Sequence, residues 1–249
     1  MRTPILMLIA AVSLLSSATA ATAGQSGGAY GAWEVPQPDA MARWLQSPVC
    51  PLVSGLARQE GEFILERLSE IARASGVPLA GEHCRPNLYI LLTGQPRELL
   101  KGMEKRNRAF TFSNATPFVV DEFIATPRPV RVWYDTQLVD TWGLSPIDAH
   151  AGVEDVPVVP TLTSRLAPAV RYRISRVFVI VDATQLRGAA RGQLADYIAM
   201  VGLVKLRSGA HADQASSILQ LFDRSPAAAP AGMTDADRAL LKSQYADNR

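Results

Sequence analysis

The feature that most constrains this chain is a β-branched apolar run at residues 175–182, where Val177, Phe178, Val179, Ile180 and Val181 follow one another without interruption. That pattern predicts a buried strand. After a short polar turn, residues 191–203 carry Leu194, Tyr197, Ile198 and Val201, with Val204 continuing the series, at the spacing of a helix packed into a core. A strand feeding a mostly buried helix needs further elements to cover both.

The N-terminus has a different purpose. Arg2 and the α-amine precede an apolar stretch over residues 4–15, and Ala18, Thr19 and Ala20 give the small-x-small pattern of a signal peptidase site, repeated at Ala21, Thr22 and Ala23. Residues 1–20 are read as a signal peptide cleaved after Ala20 or Ala23. Its apolar run is shorter than the ~20 residues a membrane span needs. The expectation is a periodic-core protein that is periplasmic or secreted, with no membrane span in the mature chain. Residues 21–32, rich in Gly, Ala and Ser, read as a flexible linker. Gly24, Ser26 and Gly28 match the Gly-x-Ser-x-Gly of serine hydrolases, but no strand precedes them to hold a strained nucleophile turn, so the match carries no chemistry.

The only two cysteines, Cys50 and Cys84, suggest one disulfide in an exported chain. Closing its loop of 84 − 50 = 34 positions stabilises the fold by about 3–4 kcal/mol in the chain-entropy picture. Net charge is +2, without the basic stripe of a nucleic-acid binder, and no nucleic-acid partner is expected. Lys101, Lys105, Arg106 and Arg108 form a small basic cluster, read as a solvated helix end.

Between these landmarks the pattern predicts a short helix at 40–46, a short edge strand at 48–53 interrupted by Pro51, and an amphipathic helix at 59–74. The apolar stripe of that helix is Phe63, Leu65, Leu68, Ile71 and Ala72, and Arg67 and Glu70 fall on its wet face. A strand at 87–93 and a helix at 96–105 opened by Pro96 follow. In a strand at 129–136, Val130, Val132 and Tyr134 face one way and Arg131, Trp133 and Asp135 the other. Residues 137–169 read mostly as loop, 213–222 as a short helix, 224–232 as a linker, and 234–246 as a docked C-terminal helix capped by Thr234. Residues 33–249 are read as one α+β domain, with a single mixed β-sheet packed against helices.

Read in order, these elements resemble the minimal zincin layout of a twisted sheet with a backing helix and a following helix that in active members carries His-Glu-x-x-His. Residues 193–203, 217–222 and 234–241 also resemble a group of uncharacterised exported proteobacterial proteins. The chain departs from the active pattern. With Gln193 in the first ligand place, Tyr197 takes the second and Leu194 replaces the glutamate. In the register set by Gly202, Leu194 and Ile198 take the ligand places and Ala195 that of the base. Zinc hydrolysis needs two imidazoles one turn apart with a carboxylate base between them. Asp196 has no metal-bound water to activate. The resemblance therefore implies a degenerate, non-catalytic scaffold, with no catalytic, cofactor or metal residues on this helix, that binds a protein or peptide in the cell envelope by strand addition at the Trp133/Tyr134 strand or the Arg171/Arg173 stretch. The alternative is a divergent metal-dependent hydrolase using residues 148–155, where Asp148, His150, Glu154 and Asp155 crowd together without matching a defined site. His83 and His211 have no partners at ligand spacing.

Overall fold

The computed structural model describes residues 32–34, 41–45, 47–112, 115–139, 171–186, 188–207, 216–223 and 228–246. The signal-peptide reading, residues 21–31 of the first linker and residues 224–227 of the second lie outside these residues, as do Asp148, His150, Glu154, Asp155 and His211. The fold is α+β, with one mixed sheet packed against helices. In chain order the described elements are β1 (Ala32–Glu34), β2 (Ala42–Trp44), β3 (Pro51–Ser54), α1 (Arg58–Ser75), β4 (Leu88–Thr93), α2 (Pro96–Thr111), α3 (Pro117–Ala125), β5 (Val130–Val139), β6 (Arg171–Asp182), α4 (Arg191–Leu203), β7 (Val204–Lys205) and α5 (Asp235–Tyr245).

The predicted apolar run is the axis of the sheet. Along one edge β6 pairs with antiparallel β5 from Val181 down to Arg171. Along its other edge it pairs in parallel with β4 over residues 177–182 and with β2 over residues 172–174. The sheet extends outward through β3 on β4, β7 on β2 and β1 on β5.

Alternation along the strands builds a core on each face. Val130, Val132 and Tyr134 join Val177, Val179 and Val181 in the larger cluster, under α1, α4 and α5. Trp133, Phe178 and Ile180 point the other way, against Leu100 of α2 and Val120, Phe123 and Ile124 of α3. There the indole of Trp133 meets the rings of Phe112 and Phe123 edge-on, at 4.8 and 5.2 Å between centroids. β5 divides as its sequence pattern predicts, because a period of two is the only way one strand can serve two cores.

Several local expectations are corrected. Residues 42–44 form a strand, not a helix: β2 is seated between β6 and β7, and the buried Trp44 donates its indole N–H to the Gly202 carbonyl at 2.9 Å. Pairing and burial override the local helical composition. On α1 the buried positions are Ile64, Leu68, Ile71 and Ala72; Ile64 takes the place assigned to Leu65. α2 runs on to Thr111 through a break at Asn107, and α3 follows at Pro117–Ala125, where the pattern predicts no element. β5 continues to Val139, into the expected loop. The helix expected at 213–222 is, among described residues, a single 3-10 turn at Ile218–Gln220. α4 closes at Leu203 and passes directly into β7.

Cys50 and Cys84 are bonded, with Cα atoms 6.0 Å apart. Asn87 reinforces the staple, accepting from the Cys50 N–H at 2.8 Å and donating to the Pro48 carbonyl at 3.0 Å. No helix among the described residues is long and apolar enough to cross a membrane.

Candidate functional site

The helix that would carry zincin chemistry is α4, and it is sealed into the fold. Gln193, Leu194, Ala195, Asp196, Tyr197 and Ile198 are all buried, so the positions a zincin motif would occupy in either register lie in packed interior. The Gln193 side-chain oxygen accepts from the Ala190 N–H at 2.9 Å, capping the start of the helix, and its amide nitrogen donates to the Pro230 carbonyl at 2.8 Å. The Tyr197 ring lies edge-on to Phe222 at 5.0 Å.

Asp196, the one carboxylate on the helix, is a structural pin. It accepts from Arg67 Nε at 2.6 Å and Nη2 at 3.1 Å, and from the Met233 N–H at 2.6 Å. This fork binds α1 to α4 and to the segment leading into α5. Bonding to Asp196 raises the Arg67 pKa above its ordinary value. Gly232 is required by the same contact, since a Cβ there would stand 2.6 Å from Asp196 Oδ2.

α5 is fixed at both ends. Thr234 Oγ1 accepts from the Asp237 N–H at 3.2 Å, and the Asp237 carboxylate accepts from the Thr234 N–H at 3.0 Å, closing a capping box. The same carboxylate, fully buried, accepts from Ser217 Oγ at 2.6 Å and the Ile218 N–H at 2.9 Å. At the far end the Tyr245 hydroxyl donates to the Leu203 carbonyl and accepts from the Trp44 N–H at 3.2 Å, and burial pushes its pKa up.

A second group of charges lies on the α2/α3 side of the sheet. Arg131, 3% exposed, donates from Nε to the Thr126 carbonyl at 2.9 Å, and burial lowers its pKa. Asp182, ending β6, accepts from the Thr184 N–H at 3.0 Å, Thr184 Oγ1 at 2.6 Å and Gln185 Nε2 at 2.6 Å. Burial pushes the Asp182 carboxyl up, but these bonds and the Arg131 charge outweigh it and hold the group below the usual carboxylate range. Among the described residues no three His, Cys, Asp or Glu side chains are grouped to hold a metal ion.

The open features are elsewhere. The Arg171/Arg173 stretch is not an edge: β5 runs along one side of β6 at both residues, and β2 pairs with its other side at residues 172–174. Trp133 and Tyr134 face the two cores, with the Tyr134 hydroxyl donating to the Val201 carbonyl at 2.7 Å. β3 is an edge strand, as are β1 and β7, and its strand partner among the described residues is β4. Because the Cys50 carbonyl accepts from the Leu88 N–H, alternation turns Leu52 and Ser54 toward β4 and leaves the Pro51 carbonyl and both backbone groups of Val53 facing outward. Upstream, Val49 already pairs outward with residues 78–80. Downstream, Gly55 (φ +90°) ends the strand where a side chain would strike the Leu92 carbonyl. Leu52 stands 41% exposed on this edge. A groove also opens between α1 and α5, lined in part by Arg67, Glu70, Arg238 and Lys242. Sequence patterning marked Pro51 as an edge signal but not the groove, whose charges come from two helices far apart in the chain.

Compared with known protein families, curated proteins and solved structures, the chain matches none.

Proposed function

We propose that the chain is an exported, non-catalytic scaffold of zincin-like layout that binds a protein or peptide of the cell envelope by strand addition. The observation that carries the reading is the outer edge of β3, where the Pro51 carbonyl, the Val53 N–H and carbonyl and the exposed Leu52 side chain stand together. An added strand takes its affinity from main-chain bonds and its specificity from side-chain contacts such as Leu52. It would continue the line that residues 78–80 begin at Val49. Pro51 and the shortness of β3 guard the edge against indiscriminate pairing. Two further features support the reading. The side chains of Gln193 and Asp196 on α4 are committed to internal bonds, and the disulfide suits an oxidising compartment.

Amide hydrogen exchange on the oxidised protein, with and without a soluble envelope fraction, tests this. Protection of the Val53 and Gly55 amides on addition of the fraction, lost in Val53→Pro, is the expected result. Proline there removes an outward N–H and no ladder bond to β4, at the cost of some Val53 packing on the core. Unchanged exchange at both amides, or equal protection of neighbouring sites in the proline variant, would sink the proposal.

A further inference from the structure

The groove between α1 and α5 has a volume of about 340 Å³. That is within the range of small-ligand pockets and too small to seat a helix. Its apolar lining comes from the buried Ile71 and the exposed Ala74 of α1 and the exposed Ala239 of α5. Its rim is charged and asymmetric. On the α1 side, Arg67 is compensated by Asp196 beneath it and by Glu70 at 3.3 Å. On the α5 side, Arg238 and Lys242 stand one helical turn apart. The Arg238 guanidinium pairs with the fully exposed Asp235, at 3.1 Å, a pairing that water screens heavily. Lys242 has no ion pair among the described residues.

We propose that this groove binds a small aliphatic monocarboxylate, with its carboxylate held between Arg238 and Lys242 and its hydrocarbon tail lying on Ile71, Ala74 and Ala239. The sign of the ligand follows from the two cations on the α5 wall. Its single charge follows from Glu70, an acidic residue in the same lining that disfavours a second anionic group. The tail follows from the apolar part of the lining. Arg238 can engage both oxygens of one carboxylate with its planar fork while Lys242 adds a point charge. The site shares no residue with the β3 edge, so it stands or falls independently of strand addition.

The test is a titration of the full mature, oxidised chain with hexanoate, hexylammonium and hexanol, followed by amide NMR shifts. Hexanoate is expected to move the amides of residues 70–75 and 238–242, with hexylammonium leaving them in place. The double variant Arg238→Gln/Lys242→Gln should weaken hexanoate binding by at least about tenfold, the scale of losing charge-assisted bonds. Both residues are exposed and outside the Asp196 and Asp237 pins, so an unchanged melting temperature is expected to accompany that loss. Hexanoate leaving those amides unmoved, hexylammonium binding as well as hexanoate, or a folded double variant binding hexanoate undiminished would each overturn the proposal. The comparison of the two probes on the unaltered chain stands even if the double variant fails to fold.

Discussion

Replacing Asp196 by alanine separates a structural carboxylate from a catalytic one. The side chain is 2% exposed and accepts three hydrogen bonds, two from Arg67 and one from the Met233 N–H. Its loss leaves the Met233 amide buried without its acceptor, at a cost of about 1–3 kcal/mol. Arg67 also loses its partner. Breaking a fully buried pair costs about 3–5 kcal/mol, but the Arg67 side chain is 33% exposed and keeps Glu70 at 3.3 Å, so hydration recovers much of that. The expected total is about 3 kcal/mol. Urea unfolding with the disulfide intact reads it directly: with a slope of roughly 2–3 kcal/mol/M the midpoint falls by about 1–1.5 M at unchanged slope. Asp196→Asn keeps an acceptor for Met233 and discards the charge, so its loss should be roughly half as large. A cycle with Arg67→Ala should return a coupling of about 1–2 kcal/mol. An Asp196→Ala protein within about 0.5 kcal/mol of the parent, the scatter of ordinary surface changes, refutes the pin.

Three further outcomes follow from the same contacts. Gly232→Ala drives a Cβ to 2.6 Å from Asp196 Oδ2, a carboxylate held by three bonds and unable to swing aside; a loss of about 1–3 kcal/mol in the same urea assay is expected, and an unchanged midpoint would show the fork to be loose. Cys50→Ser/Cys84→Ser opens a 34-residue separation and should cost about 4 kcal/mol, yet leave a folded protein by circular dichroism because Asn87 still ties Cys50 and Pro48. Asp182 has a folded pKa below its unfolded value. Its contribution is therefore present in full above about pH 4, the unfolded carboxylate range, and is lost as pH falls through the lower folded value. Asp182→Asn should be less stable than the parent at neutral pH and converge with it in acid. A constant gap down the acid limb contradicts that.

The long patterns in the sequence carry through to the fold, and some of the short ones do not. The run at 175–182 became the strand on which the sheet is built, and Val130, Val132 and Tyr134 parted from Trp133 as the alternation requires. Thr234 caps α5. In each of these the local signal and the tertiary environment agree. Residues 42–44 fail because three residues carry too little periodicity to outweigh composition, and pairing with β6 and β7 decides their conformation. Ile64 replaces Leu65 because a stripe read from sequence fixes a helix face only to within about one residue. Arg67 read as a solvent-facing charge, since nothing local reveals a carboxylate 129 positions away. The groove was illegible for the same reason, its two walls meeting only when α5 docks. Arg171 and Arg173 read as an edge because strand order, unlike strand identity, leaves no mark in one sequence.

The central claim is that this fold binds without metal chemistry, and it is tested most directly by the metal content of the mature, oxidised protein purified without chelators or metal-affinity resin. The account predicts a folded protein with only substoichiometric transition metal and no change on His150→Ala. Near-stoichiometric zinc or another transition metal, released by His150→Ala, would contradict it and move the chemistry to residues 148–155.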